Sequence, residues 1–157
     1  MRKIIIIILI IILFGFSDPV YGIEETTAEQ YPPEVSAQNA ILIEANSGEV
    51  LFEKNAAAKA YPASITKIMT ALLAIENGTL DKKFKVSPNA AGVEGSSIYL
   101  ASGEVISLRD LVYGLMLRSG NDAAIAISEA VGGSTDNYVM MMNKKARELG
   151  AMNTHFM

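Results

Sequence analysis

Two short apolar runs on either side of a turn sequence are the feature that most constrains how this chain can fold. Residues 40–44 and 50–53 flank the sequence ANSG, in which Asn and Gly supply the unusual backbone angles of a hairpin turn. Both runs are almost continuously apolar, which predicts strands that are covered on both faces. Because a sheet of only two strands is not stable alone in water, this pattern requires further strands.

Helical patterns follow the hairpin. Apolar residues recur at helical spacing from Ile65 to Leu73, with an Asn-Gly stop after them. The near absence of polar positions predicts a helix that is buried on most sides. The spacing of Ser107 and Asp110 is that of a capping box and predicts the start of a second helix, which ends at the Ser-Gly-Asn sequence of residues 119–121.

The remaining segments complete a mixed architecture. An alanine-rich helix is predicted over residues 122–131, and another from a cap at Ser134 to a stop at Gly150. Residues 87–103 are rich in Ser, Gly, Ala and Asn and are predicted to form a loop. The lysines at positions 82, 83 and 85 predict a solvated surface.

Composition excludes several kinds of site and partner. Among 157 residues there is no cysteine and one histidine, His155. Disulfides, thiol nucleophiles, cysteine metal sites and zinc sites built on several histidines are therefore excluded. A lone histidine near a chain end is usually a solvated side chain, and His155 is assigned no role. The formal net charge is -4 and no basic stripe is visible, which argues against nucleic acid as a partner.

The N-terminal residues carry an export pattern. Arg2 and Lys3 precede a run at residues 4–16 that is almost entirely Ile and Leu. The run is shorter than the roughly 20 residues of a membrane span and matches a secretory signal, so residues 1–22 are predicted to be a signal peptide cleaved after Gly22. An uncleaved anchor is the competing interpretation, and both send the chain across a membrane. Residues 23–38, which are polar and contain two adjacent prolines, are predicted to be a linker.

The candidate chemistry begins with Ser64 and Lys67. A serine hydroxyl is a poor nucleophile until a neighbouring group takes its proton. A separation of three residues on a helix places both side chains on the same face, and a lysine whose pKa is lowered by burial becomes a usable base. A position at the helix N-terminus also favours an oxyanion. The alternative is structural: Ser64 caps the helix and Lys67 extends its charge to solvent.

Ser119 and Asn121 form the second candidate pair. They lie at a break between two apolar helices, where a hydroxyl and a carboxamide can point into one cleft. Ser119 could relay a proton to the leaving amine, and Asn121 could hold a substrate amide and Lys67. Taken singly, such residues are more often ordinary helix caps.

Three ordered blocks add specificity: YPASITKIMT at residues 61–70, GSSIYL at 95–100 and LRSGNDAA at 117–124. In order and separation they resemble the low-molecular-mass penicillin-binding proteins of the D-alanyl-D-alanine carboxypeptidase family, over the chain from about residue 37 to its end. The first and third blocks contain the Ser-x-x-Lys and Ser-x-Asn motifs of penicillin-recognising serine enzymes.

The resemblance implies a β-lactamase/DD-peptidase-like fold of the α/β (α+β) class, in which a helical cluster packs on an antiparallel sheet. It implies a serine-type carboxypeptidase that removes the terminal D-alanine from peptidoglycan stem peptides ending in D-Ala-D-Ala. Ser64 would be the nucleophile and Lys67 the base, with Ser119 and Asn121 completing the proton and substrate network. The resemblance implies no metal or cofactor, β-lactams as inhibitors, an extracytoplasmic location, and contact with the membrane surface through a C-terminal anchor.

The family's third motif, Lys-Thr-Gly, does not occur in these residues. The resemblance therefore implies that residues 39–157 are a partial catalytic domain, truncated before the strand that carries this motif. Apolar faces of the hairpin and first helix should then be exposed, with poor stability as the result. Two alternatives stay open. One is a serine β-lactamase, against which the glycine of Ser119-Gly120-Asn121 argues, and the other is a truncated, non-catalytic peptidoglycan-binding remnant.

Overall fold

The computed structural model describes residues 34–157. The predicted signal peptide and most of the predicted linker lie outside the described residues. The chain divides into two compact units, with the boundary after Ala58, and each unit is described by itself. Among residues 34–157, no helix combines the length and the apolar character needed to cross a membrane.

The first unit contains the predicted hairpin. Strands β1 (Ala40–Ile43) and β2 (Val50–Lys54) pair antiparallel, with a register shift between Leu42 and Ile43. In the turn, the Glu44 carboxylate accepts hydrogen bonds from the backbone and side chain of Asn46 at 2.9 Å each and from the backbone of Ser47. The bonds from Ser47 and Asn46 lower the pKa of Glu44 to about 2. The hairpin prediction is confirmed.

The apolar side chains of this hairpin are open to solvent. Exposed fractions run from 50% to 58% for five of them, namely Ile41, Leu42, Ile43, Val50 and Leu51. The prediction from the apolar pattern that both faces are covered is therefore wrong for the described residues. The physical reason is that this sheet has two strands in the part of the chain that the structure describes, and a sheet of two strands does not cover its own faces. The expectation of exposed apolar strands is confirmed.

The second unit consists of four helices and a small sheet. A 3₁₀ turn (Ala63–Ile65) leads directly into α1 (Thr66–Asn77). Farther along the chain come α2 (Leu108–Arg118), α3 (Asn121–Gly132) and α4 (Thr135–Glu148). Ser107 and Ser134 cap α2 and α4, each accepting a hydrogen bond from the backbone N–H three residues on, as the sequence predicts. Residues 87–103 contain no helix or strand.

A second antiparallel pair was not predicted. Strands β3 (Lys83–Lys85) and β4 (Val105–Ser107) pair with Phe84 opposite Ile106. The lysines that were interpreted as a solvated surface are exposed, as expected, but two of them, Lys83 and Lys85, lie on a strand. A three-residue strand with one apolar position shows no alternation long enough to detect.

The helices of the second unit share one core. Its fully buried side chains come from all four helices and include Leu73, Leu108, Leu111, Leu115, Ile127 and Tyr138. Helix α1 buries one face, with Leu73 and Ala74 inside, while Ile68 and Ile75 are more than half exposed. The prediction that α1 is buried on most sides is therefore wrong for the described residues, because the neighbouring helices cover only one face.

Tyr138 joins α4 to α1 inside this core. Its ring is 1% exposed and its hydroxyl donates to the Thr70 carbonyl at 2.7 Å, and burial raises the pKa of the phenol. We expect Tyr138→Phe to lower the free energy of unfolding by about 1 kcal/mol, because a buried hydrogen bond is lost without a cavity. Urea unfolding measures this. Tyr113→Phe is the control, since that ring is 58% exposed; equal losses in both variants would contradict the assignment.

Candidate active site

Ser64 lies in the 3₁₀ turn immediately before α1. Its side chain caps neither the turn nor the helix, so the structural alternative of a helix cap is not what the structure shows. The preceding residue, Ala63, has a φ of 47°, in the left-handed region that side chains other than glycine rarely adopt. Such strain persists only where the surrounding structure imposes it, and here it presents the Ser64 hydroxyl at the surface.

Lys67 is in the first turn of α1 and is half-buried. Its Nζ donates to three oxygens: the Ser119 carbonyl, the Ser119 hydroxyl at 2.9 Å and the Asn121 carboxamide oxygen at 2.7 Å. All three acceptors lie at the break between α2 and α3. The alternative in which Lys67 extends into solvent is therefore excluded, because its ammonium is held within the protein.

Ser119 bridges Ser64 and Lys67. Its hydroxyl donates to the Ser64 hydroxyl at 3.1 Å while it accepts from Lys67. The residue ends α2 with a left-handed backbone, φ 56° and ψ 34°, and this reversal turns the chain so that Ser119 and Asn121 face the same side. No hydrogen bond joins Ser64 directly to Lys67 in the part of the chain that the structure describes. Ser119 therefore provides the contact between them.

Asn121 is the first residue of α3, and its side chain does not cap the helix. Its carboxamide oxygen faces Lys67, and its Nδ2 donates to the Glu94 carbonyl at 2.8 Å. Its backbone N–H donates to the Ser96 carbonyl at 2.7 Å. Gly95 lies between these two carbonyls with a φ of +92°, and a Cβ there would come within 2.7 Å of Asn121 Nδ2. Only glycine allows this close approach.

The charge state of Lys67 depends on its surroundings. Burial lowers the pKa of Lys67 below its ordinary value, and the negative charge of Asp122 opposes that shift. A lowered pKa increases the fraction of neutral amine, which is the form that can accept a proton. The site therefore brings together a serine hydroxyl, a bridging hydroxyl and a partly desolvated amine. Such a set can transfer a proton from a nucleophile in acyl transfer.

The sequence pattern did not single out Asp122, which the structure places beside this site. Its side chain is 0% exposed and lies in the first turn of α3. Burial alone would raise the pKa of Asp122, but hydrogen bonds from Leu100, Ser97 and Ile98 outweigh it and hold the pKa below its ordinary value. A carboxylate directly before the apolar run AAIAI was the available signal, since a charge in a buried helix needs partners.

Comparison with known proteins agrees with the three sequence blocks. The model of the D-alanyl-D-alanine carboxypeptidase family, peptidase family S11, matches residues 25–157. D-alanyl-D-alanine carboxypeptidase DacF of Bacillus subtilis is 44% identical over 127 residues, which are 76% of this chain and 32% of that protein. DacA of Escherichia coli is 37% identical over 136 residues, 79% of this chain and 34% of that protein. The chain thus spans about a third of the length of the curated relatives it matches.

Solved structures show the same fold. The D-alanyl-D-alanine carboxypeptidase DacD of Francisella tularensis has a TM-score of 0.74 at 34% identity, covering 88% of this chain and 36% of that one. Penicillin binding protein 6B of Escherichia coli has a TM-score of 0.76 at 33% identity, covering 81% and 43%. The predicted mixed fold of the DD-peptidase type, with helices and small antiparallel sheets, is confirmed over the matched part. The chain belongs to the D-alanyl-D-alanine carboxypeptidase family.

Proposed function

We propose that this chain carries the nucleophile and base of a serine-type D-Ala-D-Ala carboxypeptidase. Ser64 Oγ attacks the carbonyl carbon between the two terminal D-alanines of a peptidoglycan stem peptide. The C–N bond breaks, the terminal D-alanine leaves with a proton on its amine, and water then hydrolyses the ester on Ser64. One water is consumed and one D-alanine is released for each turnover.

The observation that carries this proposal is the hydrogen-bonded series from Ser64 through Ser119 to Lys67, with separations of 3.1 Å and 2.9 Å. With Lys67 neutral, Ser64 can donate to Ser119 while Ser119 donates to the amine, so the proton of the nucleophile reaches Lys67 in two short transfers. The same path in reverse delivers a proton to the leaving amine. Asn121 holds the Lys67 amine in place through its carboxamide oxygen.

Family membership supports a proposal for the substrate and the location. The relatives named above are carboxypeptidases and a penicillin binding protein, which favours a carboxypeptidase over a β-lactamase. We infer stem peptides ending in D-Ala-D-Ala as substrates, β-lactams as inhibitors, a role in maintaining cell shape, and a site of action outside the cytoplasmic membrane, at whose surface an anchor would hold the enzyme. Residues 1–22 would be the signal peptide, 23–38 the linker and 39–157 a partial catalytic domain. The mass of the exported protein distinguishes cleavage from a retained anchor.

Covalent labelling tests the proposal. We expect a fluorescent penicillin to form a stable ester with the purified chain, with the label on the peptide that contains Ser64 by mass spectrometry. Ser64→Ala should remove the label, because Ser64 is the nucleophile in this proposal and the neighbouring Ser119 hydroxyl relays its proton to Lys67. Ser47→Ala is the matched control, since this serine lies in the hairpin turn of the other unit, and it should label like the parent chain.

The other outcomes discriminate the alternatives. Rapid loss of the label with release of hydrolysed penicillin would favour a β-lactamase. A chain that is folded by circular dichroism but takes no label would overturn the catalytic proposal and favour the non-catalytic remnant. Release of D-alanine from a peptide ending in D-Ala-D-Ala, again lost in Ser64→Ala, would extend the result from acylation to the full reaction.

A further inference from the structure

Asp122 is a buried carboxylate that the proposed chemistry does not use. Three of its hydrogen-bond donors come from one short stretch of the loop at residues 97–100: the Ser97 hydroxyl at 2.7 Å, the Ile98 N–H at 3.1 Å and the Leu100 N–H at 3.0 Å. The fourth is the N–H of the next residue, Ala123, at 2.9 Å. One carboxylate therefore fastens this loop to the start of α3.

The same loop orients a member of the catalytic network. The residues just before the fastened stretch supply two backbone carbonyls to Asn121, that of Glu94 to its side chain and that of Ser96 to its backbone. A carbonyl can only accept a hydrogen bond, so Glu94 fixes the amide nitrogen of Asn121 on its side. The amide oxygen must then point the other way, toward the Lys67 ammonium, which can only donate.

We propose that Asp122 is a positioning residue of the catalytic centre, which holds the loop so that Asn121 presents its carboxamide oxygen to Lys67. The effect of Asp122 on catalysis rests on the proposed function. Its attachment of the loop rests on the contacts alone. Asp122 does not touch the reacting atoms and acts through Asn121. Its location directly after Asn121 ties the orientation of the amide to the position of the loop.

Asparagine cannot replace this carboxylate. Both oxygens of Asp122 accept backbone N–H groups, Oδ1 from Ala123 and Oδ2 from Leu100. An asparagine with its NH₂ at the Oδ2 position would oppose the Leu100 N–H, and one with its NH₂ at Oδ1 would oppose the N–H groups of Ala123 and Ile98, so either orientation weakens the attachment of the loop. Ser97→Ala is a milder change that removes one bond and leaves the charge in place.

The geometric part of the inference can be tested without an activity measurement. We expect Asp122→Asn to increase hydrogen exchange of the Asn121 side-chain amide, observed by NMR, by at least about tenfold. Ser97→Ala should change it in the same direction by less. Asp136→Asn is the matched control, since Asp136 is also the second residue of a helix but is exposed. Unchanged exchange in a folded Asp122→Asn chain would overturn the inference.

The kinetic part uses a double-mutant cycle on the rate of penicillin acylation. Asp122→Asn should slow acylation of folded chain about ten- to a hundredfold, because a displaced catalytic group costs that much. In an Asn121→Ala background the same change should slow it less than about twofold, since its target is already gone. Asp122→Asn should also lower the free energy of unfolding in urea, by the same amount in both backgrounds. A merely structural role would show that loss too, so the difference between the two acylation rates is the measurement that tests positioning.

The two failures are distinguishable. If Ser64 labels and Asn121→Ala slows labelling, but Asp122→Asn slows it equally in both backgrounds, the positioning role is wrong and the proposed function stands. If Ser64 never labels, the proposed function fails, and the NMR measurement still decides whether Asp122 orients Asn121.

Discussion

Replacing Lys67 by alanine is expected to slow acylation of Ser64 by penicillin about a hundred- to ten-thousandfold, the usual contribution of a positioned general base. The variant loses the amine at the end of the path from Ser64 through Ser119, so the attacking hydroxyl has no proton acceptor. The measurement is the second-order rate constant for formation of the fluorescent adduct. Because burial lowers the pKa of Lys67, the parent rate should rise with pH and reach its plateau below the ordinary lysine pKa.

Two variants separate the possible roles of Lys67. Lys67→Arg keeps the positive charge but cannot release a proton, so it should be as slow as the alanine variant if Lys67 is the base. Lys144→Ala removes an exposed lysine from α4 and should leave the rate unchanged. An arginine variant that labels at the parent rate would show that charge alone suffices, and the proposed proton path would be wrong.

Leu115→Ala is expected to lower the free energy of unfolding by about 2–5 kcal/mol. Its side chain is 1% exposed on α2, where it packs in the core shared by the helices, and truncation leaves a cavity that the neighbours fill only in part. Urea unfolding followed by circular dichroism measures the change. Typical domains are stable by only about 5–15 kcal/mol, so this single change removes a large fraction of the total.

The same helix supplies a matched control. Leu117 is two residues further along α2 and 76% exposed, so Leu117→Ala should change stability by less than about 0.5 kcal/mol. If Leu115→Ala does not fold, Leu115→Met keeps the volume and should cost less than about 1.5 kcal/mol. Equal losses at positions 115 and 117 would contradict the burial that the structure assigns to them.

Local signals predicted the parts of this fold that depend on neighbouring residues. Ser107 and Ser134 cap helices because each is followed at short range by the N–H that it accepts, and the hairpin follows from its own turn. Exposure was predicted less well. The hairpin strands were predicted from their apolar pattern to be covered on both faces, but Leu51 is 57% exposed, since the composition of a strand does not say which distant segments pack on it.

The site shows the same division between local and distant information. Helical spacing is enough to pair Ser64 with Lys67, but the contact through Ser119 depends on the left-handed backbone that ends α2. The partners of Asp122 come from a loop more than twenty residues earlier in the chain. No periodic sequence pattern predicts this contact. The only available signal was a charged residue in an apolar helix, which indicates that hydrogen-bond partners must exist.

The hydrogen bond between Lys67 and Ser119 spans 52 residues of sequence, and this has a consequence for the order of events in folding. Closing so long a stretch costs chain entropy that no single helix can offset. Each helix can therefore form before the proton path exists, and the path appears only when α1 docks against the junction of α2 and α3. The proposed reactivity toward penicillin would thus be a property of the assembled helices, and we expect it to be the last feature gained during refolding.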